Sequence, residues 1–315
     1  VGVAGMSQVL LRRAAGAAFP PPPAPHILDT YTGAVVAYSS SRKLRAAYTG
    51  AAYRVRRASD NAEQDIGFLS SGQVDQAALS AFCSGTTGRV VLWYDQSGNG
   101  VDAQQPTLSK APIVYQSGAA TLINSTPALL FTGSEGMNTA NNLPWPAAQV
   151  QMTAVVAYRL TGPSVGIIVE TGYPQQHNQV AGGLLLDVSD RNSGGVLLGG
   201  SGGNSTTSYG YSPALTRPYN LVFKGVWNPA GTNVATENPT FQNNNVAVTP
   251  ISAGSPNAST AVTQFSVSRM AIGARGDAAS LRFVGSLGEL ILYPGTAHAA
   301  ANALDLDVMG QYGIS

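Results

Sequence analysis

Two stretches place a lone carboxylate at the end of an apolar run, where side-chain chemistry begins. In Trp93-Tyr94-Asp95-Gln96-Ser97-Gly98-Asn99-Gly100, Asp95 opens a Gly/Ser/Asn turn. In Ile168-Val169-Glu170-Thr171-Gly172-Tyr173, Glu170 ends a second run, with Tyr173 and His177 close behind it. A positioned carboxyl serves as general acid, general base or nucleophile. The Asp95 spacing favours a different job, because an Asp side chain ahead of Ser-Gly accepts hydrogen bonds from amides two and three residues on. Asp60, Asn61 and Asp65 read the same way, with Arg54 or Arg56 as ion-pair partners. Glu170 with Tyr173 and His177 at a strand end is the better candidate for a cleft.

Other chemistries lack their residues. His26, His177 and His298 have no metal-ligand spacing, so no metal is expected. Asp305 and Asp307 read as a solvated helix face rather than a calcium site. Gly199-Gly200-Ser201-Gly202-Gly203 has no following Lys and helix, which excludes a phosphate loop, and no Gly-x-Ser-x-Gly elbow occurs. Trp145, inside Pro144-Trp145-Pro146, is either a platform for stacking on a sugar or an anchor for its loop. No cofactor is implied.

The elements that must position these residues are short strands. Only 10% of the 315 residues are charged while 36 are Gly and 19 Pro, a mixture that builds many strands joined by tight turns. Apolar runs recur from Ala34–Tyr38 through Tyr53–Arg56, Val90–Tyr94, Met152–Leu160, Ser164–Glu170, Gly182–Val188 and Tyr219–Val226 to Thr263–Ile272 and Leu287–Tyr293. The expected fold is an all-β sandwich or jelly roll with a few short helices and an extended N-terminal arm. Met152–Leu160 predicts a central strand covered on both faces. Helices are predicted over Ser39–Ala47, Val74–Phe82 and His298–Met309, and long polar loops between 200 and 262. The predicted division is an arm with a proline-rich linker over 1–25, containing Pro20-Pro21-Pro22-Pro23, and one sandwich domain over 26–315.

Residues 1–58 hold eight Lys/Arg against Asp29, a net +7, balanced by −6 over the rest. Arg stems packed over apolar surface with solvated heads account for such a stripe, and no nucleic-acid motif accompanies it. Cys83 is the only cysteine, so no intramolecular disulfide is available. Arg12 and Arg13 follow Val9, Leu10 and Leu11, the reverse of a secretory signal's order, and no run reaches the roughly 18 apolar residues of a membrane span.

The motifs Tyr48-Thr49-Gly50, Val55-Arg56-Arg57-Ala58-Ser59-Asp60, Asp65-Ile66-Gly67, Phe82-Cys83-Ser84-Gly85-Thr86-Thr87 and Tyr94-Asp95-Gln96-Ser97-Gly98 occur in register. In that order they resemble the catalytic module of the fungal α-L-arabinofuranosidase B family over roughly residues 29–105. Similar modules occur in bacteriophage tail and virion-surface proteins that begin with a segment like Leu10-Leu11-Arg12-Arg13. The resemblance implies a concanavalin A-like β-sandwich and removal of arabinofuranosyl groups with retention, which needs a nucleophile and an acid/base about 5 Å apart. It places the acid/base at Asp277, in Gly273-Ala274-Arg275-Gly276-Asp277. The family's nucleophile, a Glu in Asp-Leu-Glu-Asn-Gly, falls in Gly199–Pro218, which contains no Asp or Glu. Glu170 is then the one candidate to replace it. The family's second loop cysteine falls at Gly88, and its adjacent cysteine pair near Gly166-Ile167-Ile168.

The missing nucleophile and the proline arm lead to the expectation of a structural or adhesive virion-surface protein, catalytically inactive, on a phage fibre, tail or capsid. Leu10, Leu11, Arg12, Arg13 and Phe19 would dock the arm onto other virion proteins. Trp145, Asp277, Tyr173 and His177 would bind host surface carbohydrate, in a homo-oligomer without nucleic acid or a membrane span. The alternatives are a retaining arabinofuranosidase using Asp277 and Glu170, secreted or extracellular, and a stand-alone carbohydrate-binding module.

Overall fold

The computed structural model describes residues 26–162, 166–176, 179–188, 196–203, 206–211, 218–227, 239–249, 251–253, 263–276 and 280–315. The arm over 1–25, and with it Leu10 to Arg13 and Phe19, lies outside them.

The first half of the chain supplies β1 (Val36–Ser39), β2 (Tyr53–Arg57), β3 (Glu63–Ile66), β4 (Gly88–Trp93), β5 (Ala103–Gln104), β6 (Ile113–Gln116), β7 (Ala119–Ala120), β8 (Leu122–Ile123), β9 (Thr126–Pro127), β10 (Leu129–Thr132) and β11 (Met137–Thr139). There follow β12 (Met152–Leu160), β13 (Gly166–Tyr173), β14 (Leu184–Val188), β15 (Val196–Gly203), β16 (Thr206–Tyr211), β17 (Tyr219–Trp227), β18 (Pro239–Asn243), β19 (Val246–Val248), β20 (Ile251–Ala253), β21 (Arg269–Ile272) and β22 (Val284–Pro294). The helices are α1 (Ile27–Thr30), α2 (Gln76–Phe82) and α3 (Asn302–Tyr312).

Antiparallel pairing arranges these strands in two layers. The back layer runs β22-β12-β17-β18-β19, with β1 and β10 sharing the outer edge of β22. The front layer runs β3-β2-β4-β5-β11-β21-β13-β14-β15-β16-β20. Strand β6 pairs with both β4 and β10 and ties the layers together. This is the predicted sandwich.

Between the layers lies a core of Tyr38, Trp93, Phe131, Tyr158, Phe223, Met270 and Leu290. A second cluster packs α3, through Leu304, Val308 and Tyr312, on the other side of the back layer against Val155, Ala157, Val222 and Ile291. Strand β12 therefore buries both of its faces, Ala154, Val156 and Tyr158 inward and Val155 and Ala157 under the helix, which explains its unbroken apolar run. With α3 covering the back layer, the outer face of the front layer is the one left for a site.

Three expectations change. Ser39–Ala47 forms no helix, because its serines serve tertiary partners: Ser40 Oγ donates to Pro127 and Gly288 carbonyls and Ser41 Oγ to the Tyr312 hydroxyl. The terminal helix runs on through Gly310 and stops at Gly313, whose φ of 57° closes it in the left-handed region. The polar region after residue 200 holds, besides the expected strands at β17 and β19, the strands β16, β18 and β20 where loop was expected.

Of the two acids expected on a solvated helix face, Asp307 is exposed but Asp305 is buried. Asp305 pairs with Lys224 at 3.0 Å, both side chains 1% exposed, and Asp307 meets Arg42 at 2.5 Å. The basic stripe is likewise spent on partners: Arg42 chelates Glu289 through Nε and Nη2, Arg54 chelates Asp65, Arg56 pairs with Glu63 and Arg57 with Asp60. Asp60 thus takes Arg57 rather than Arg54 or Arg56.

Candidate functional site on the front sheet

Asp95 is a fold-building residue. Its Oδ1 accepts the amides of Ala37 and Ser97, both at 2.9 Å, and its Oδ2 accepts the Ser97 hydroxyl at 2.7 Å and the Val101 amide at 3.1 Å. The carboxylate stitches the 95–101 turn to β1 and has no capacity left for chemistry.

A single register row crosses the front layer: Arg54, Leu92, Gln104, Asn138, Ala271, Glu170 and Leu185 lie opposite one another in turn. Their strand neighbours Trp93, Ala103, Met137, Met270, Ile272, Val169 and Leu186 belong to the core, so the row faces outward. Asp187, two residues beyond Leu185 on β14, shares that outer face and is buried. This gathers Glu170, Asp187 and Asn138 from strands far apart in sequence.

Glu170 is fully buried, and the turn after β21 folds over it. Its Oε2 accepts the Gly276 amide, while Arg275 Nε lies 3.8 Å from Oε1. A Cβ on Gly276 would run into the Gln175 carbonyl, so only glycine lets this turn close so tightly. Arg275 is 19% exposed beside the fully buried Glu170. Arg275 also lines a small, water-sized pocket with Gln105, Lys110, Met137, Asn138, Tyr173, Ala271 and Arg282. The Tyr173 ring carries the Arg269 guanidinium 4.6 Å from its centroid.

The structure places Tyr173 on the wall of this pocket and buries Glu170 beside Arg275, off that wall. Asp277 follows Gly276 directly in sequence but, like His177, lies outside the described residues. Trp145 is elsewhere: 7% exposed, with its ring 4.9 Å from that of Phe265, it anchors its loop in the core and has no free face for a sugar. Asn138 and Asp187 were missed in the sequence, since only the cross-strand register puts them on the face of Glu170, and Arg275 was seen as a neighbour of Asp277 but not of Glu170. Among the described residues no group of His, Cys, Asp or Glu is arranged to hold a metal.

Residues 28–136 match the family model described as Alpha-L-arabinofuranosidase B, catalytic. An arabinofuranosidase/β-xylosidase of Trichoderma koningii is 51% identical over 69 residues, covering 22% of this chain and 14% of the relative. The α-L-arabinofuranosidase B of Aspergillus oryzae is 49% identical over 70 residues, with the same coverage. The chain thus matches only a small part of its curated relatives' length. Among solved structures, an arabinofuranosidase complexed with arabinofuranosyl-α-1,2-xylobiose superposes over 91% of this chain and 64% of its own, with a TM-score of 0.63 at 17% identity. A GH54 α-L-arabinofuranosidase soaked with a cyclic sulfate inhibitor matches with the same TM-score and 16% identity.

These relatives overturn the expectation of an inactive virion-surface protein: they are glycosidases, and none of these matches points to a phage. The chain is thus similar to the arabinofuranosidase B catalytic domain in sequence over residues 28–136 and shares the fold of these arabinofuranosidase structures across the sandwich.

Proposed function

We propose that this chain is an extracellular α-L-arabinofuranosidase-type glycoside hydrolase whose site is the outer face of the front sheet around Glu170. The observation that carries the reading is the grip of the buried Glu170 carboxylate on Gly276, the residue before Asp277. Asp277 is the next residue in the chain, and a retaining pair requires carboxyl groups roughly 5 Å apart.

In this mechanism Asp277 protonates the glycosidic oxygen as the bond breaks and later deprotonates the attacking water. Glu170 takes the anomeric carbon, once substrate has drawn Arg275 aside to expose Oε1. Asn138 and Tyr173 meet the sugar's hydroxyls at the pocket wall. A second reading, a carbohydrate-binding module without turnover, is favoured by the absence of any Asp or Glu in Gly199–Pro218.

Hydrolysis of 4-nitrophenyl α-L-arabinofuranoside by purified protein separates the two. Turnover that disappears in Asp277→Asn supports the hydrolase. Saturable binding of arabinofuranosyl oligosaccharides without any turnover would replace it with the binding module.

A further inference from the structure

Tyr48-Thr49-Gly50 and Asp65-Ile66-Gly67, two of the motifs that occur in register, take no part in the surroundings of Glu170. The fold brings Tyr48, Thr49, Gly50, Asp65 and Gly67 instead to one open cleft of about 620 Å³. A second cleft of about 590 Å³ shares His26, Lys43, Ser70 and Gly72 with it and runs on to Gln73 and Gln311. Together they form one long groove, each half of which has the volume of a ligand site.

The groove has an apolar wall and fixed polar groups. A Cβ on Gly50 would fall on the Tyr48 ring and hydroxyl, so the glycine leaves that ring its place. The Tyr48 hydroxyl donates to the Ala51 carbonyl at 2.8 Å, and the ring stands T-shaped to Phe68 with centroids 6.3 Å apart. Half-buried Tyr48 and Phe68 and the exposed Leu69 make the apolar wall. Arg54 Nε and Nη2 and the Tyr94 hydroxyl donate to Asp65 at 2.8, 2.8 and 2.9 Å, which orients a carboxylate still 42% exposed and able to accept again. His26 Nδ1 lies 3.0 Å from the Lys43 carbonyl, which can only accept, so Nδ1 carries the proton and Nε2 of the neutral ring is an acceptor. Lys43, Thr49 and Ser70 add donors.

The backbone along the groove is spent on itself. The Lys43 amide donates to the Gly72 carbonyl at 2.7 Å, the Gly72 amide to Leu69 at 2.9 Å, the Leu69 amide to Gln73 at 2.8 Å and the Tyr48 amide to Arg45 at 3.1 Å. An extended peptide would need such main-chain groups as partners. A sugar needs what is left, side-chain donors and acceptors for its hydroxyls beside aromatic rings for its apolar C–H face.

Asp65 also ties the groove to the front sheet. Opposite Arg54 on β3, it is the next member of the register row that runs through Leu92, Gln104, Asn138 and Ala271 to Glu170. Six strand pairings of about 4.8 Å each put the two acids about 29 Å apart along one sheet face. A small glycoside cannot touch both, and a polysaccharide can.

We infer that the groove walled by Tyr48, Phe68 and Leu69 and served by Asp65, His26 and Lys43 is a second binding site, for the uncharged main chain of a polysaccharide. Its occupancy stands on its own lining. Its purpose, holding the chain while the Glu170 face acts on a branch, rests on the hydrolase reading.

The test is calorimetric titration of the full chain with xylohexaose and cellohexaose, two uncharged chains, and with xylose. The better hexasaccharide is expected to bind at least about tenfold tighter than xylose, and equally well at about 0.5 M salt, since no charge on the ligand is screened. Leu69→Asp puts a charge on the apolar wall from an exposed position that keeps the fold, and should weaken that binding about tenfold. Lys43→Met keeps the stem, removes the donor and should weaken it about fivefold. No detectable binding of either hexasaccharide, equal affinity for xylose, affinity that falls at high salt, or binding untouched by both variants would overturn the inference. Hydrolysis of 4-nitrophenyl α-L-arabinofuranoside is read in parallel. Groove binding without turnover supports the second site and removes only the hydrolase reading, and turnover without groove binding does the reverse.

Discussion

Glu170 Oε1 lies 3.8 Å from Arg275 Nε while its other oxygen accepts the Gly276 amide, so one buried carboxylate holds the two residues that lead into Asp277. A carboxylate at this depth is tolerated because a cation and an N–H replace its hydration. Glu170→Gln keeps the shape and removes the charge, and its amide turns a donor toward groups that are themselves donors. We expect a loss of about 2 kcal/mol in stability by denaturant titration. Turnover of the aryl arabinofuranoside should fall at least ~10²-fold. Added azide should restore turnover in the smaller Glu170→Ala variant, because a small anion can then occupy the nucleophile's place. If azide restores nothing there but does so in another carboxylate variant such as Asp187→Ala, Glu170 is a positioning residue and the nucleophile lies elsewhere on the same face.

The Lys224–Asp305 pair sits between β17 and α3, with both side chains 1% exposed. Burial pushes the Asp305 carboxyl above its ordinary value, and attraction to Lys224 offsets part of that. The folded chain therefore holds a proton on Asp305 more readily than the unfolded chain does. The stability this group contributes is complete below its ordinary pKa, near 4, and is lost as pH rises through the higher folded value. Removing one partner leaves the other charge buried alone, so Lys224→Met or Asp305→Leu should each cost about 3 to 5 kcal/mol. The double variant should be near wild type or more stable, and should lack this pH term. Strictly additive losses in urea unfolding at pH 7 would show that the two charges do not depend on each other.

The same pair marks where the sequence was legible and where it was not. Strand β12 matches its predicted limits, Met152–Leu160, because burial on both faces leaves an unbroken apolar run. Helix α2 was visible through the helical spacing of its apolar residues, and the structure adds the cap, the Asp75 carboxylate accepting the Ala78 amide at 2.9 Å. In contrast, Ser39-Ser40-Ser41 looks like a cap locally, and only the folded partners Pro127, Gly288 and Tyr312 show why no helix follows. Asp305 looked solvated because its cation is 81 residues away in the chain. The site has the same character: Glu170 was found as a strand-end carboxylate, yet Asn138, Ala271 and Arg275 reach it only through pairing of β11, β21 and β13. Long-range register leaves no local signature, so the strands could be read and their adjacency could not.

Cys83 and Gly88 make the last case, in which the fold keeps the geometry of a cross-link whose second sulfur is gone. Cys83 is fully buried at the end of α2, and burial pushes its thiol up to about 11 despite the pull of Arg57. A Cβ built on Gly88 falls inside contact distance of Cys83 Sγ, with Val55 Cγ1 next at 3.0 Å. A methyl group there can only collide, whereas a cysteine can turn the collision into a bond by a small rotation of Cys83. Gly88→Ala should therefore destabilise the protein. Gly88→Cys, refolded under oxidising conditions because the native thiol is too protonated to react, should gain about 2 kcal/mol from closing so short a loop. Reduction should return that variant to the level of Gly88→Ala, since the larger side chain then remains without its bond. A Gly88→Cys protein with two titratable thiols after oxidative refolding would show that the two positions do not face each other as described.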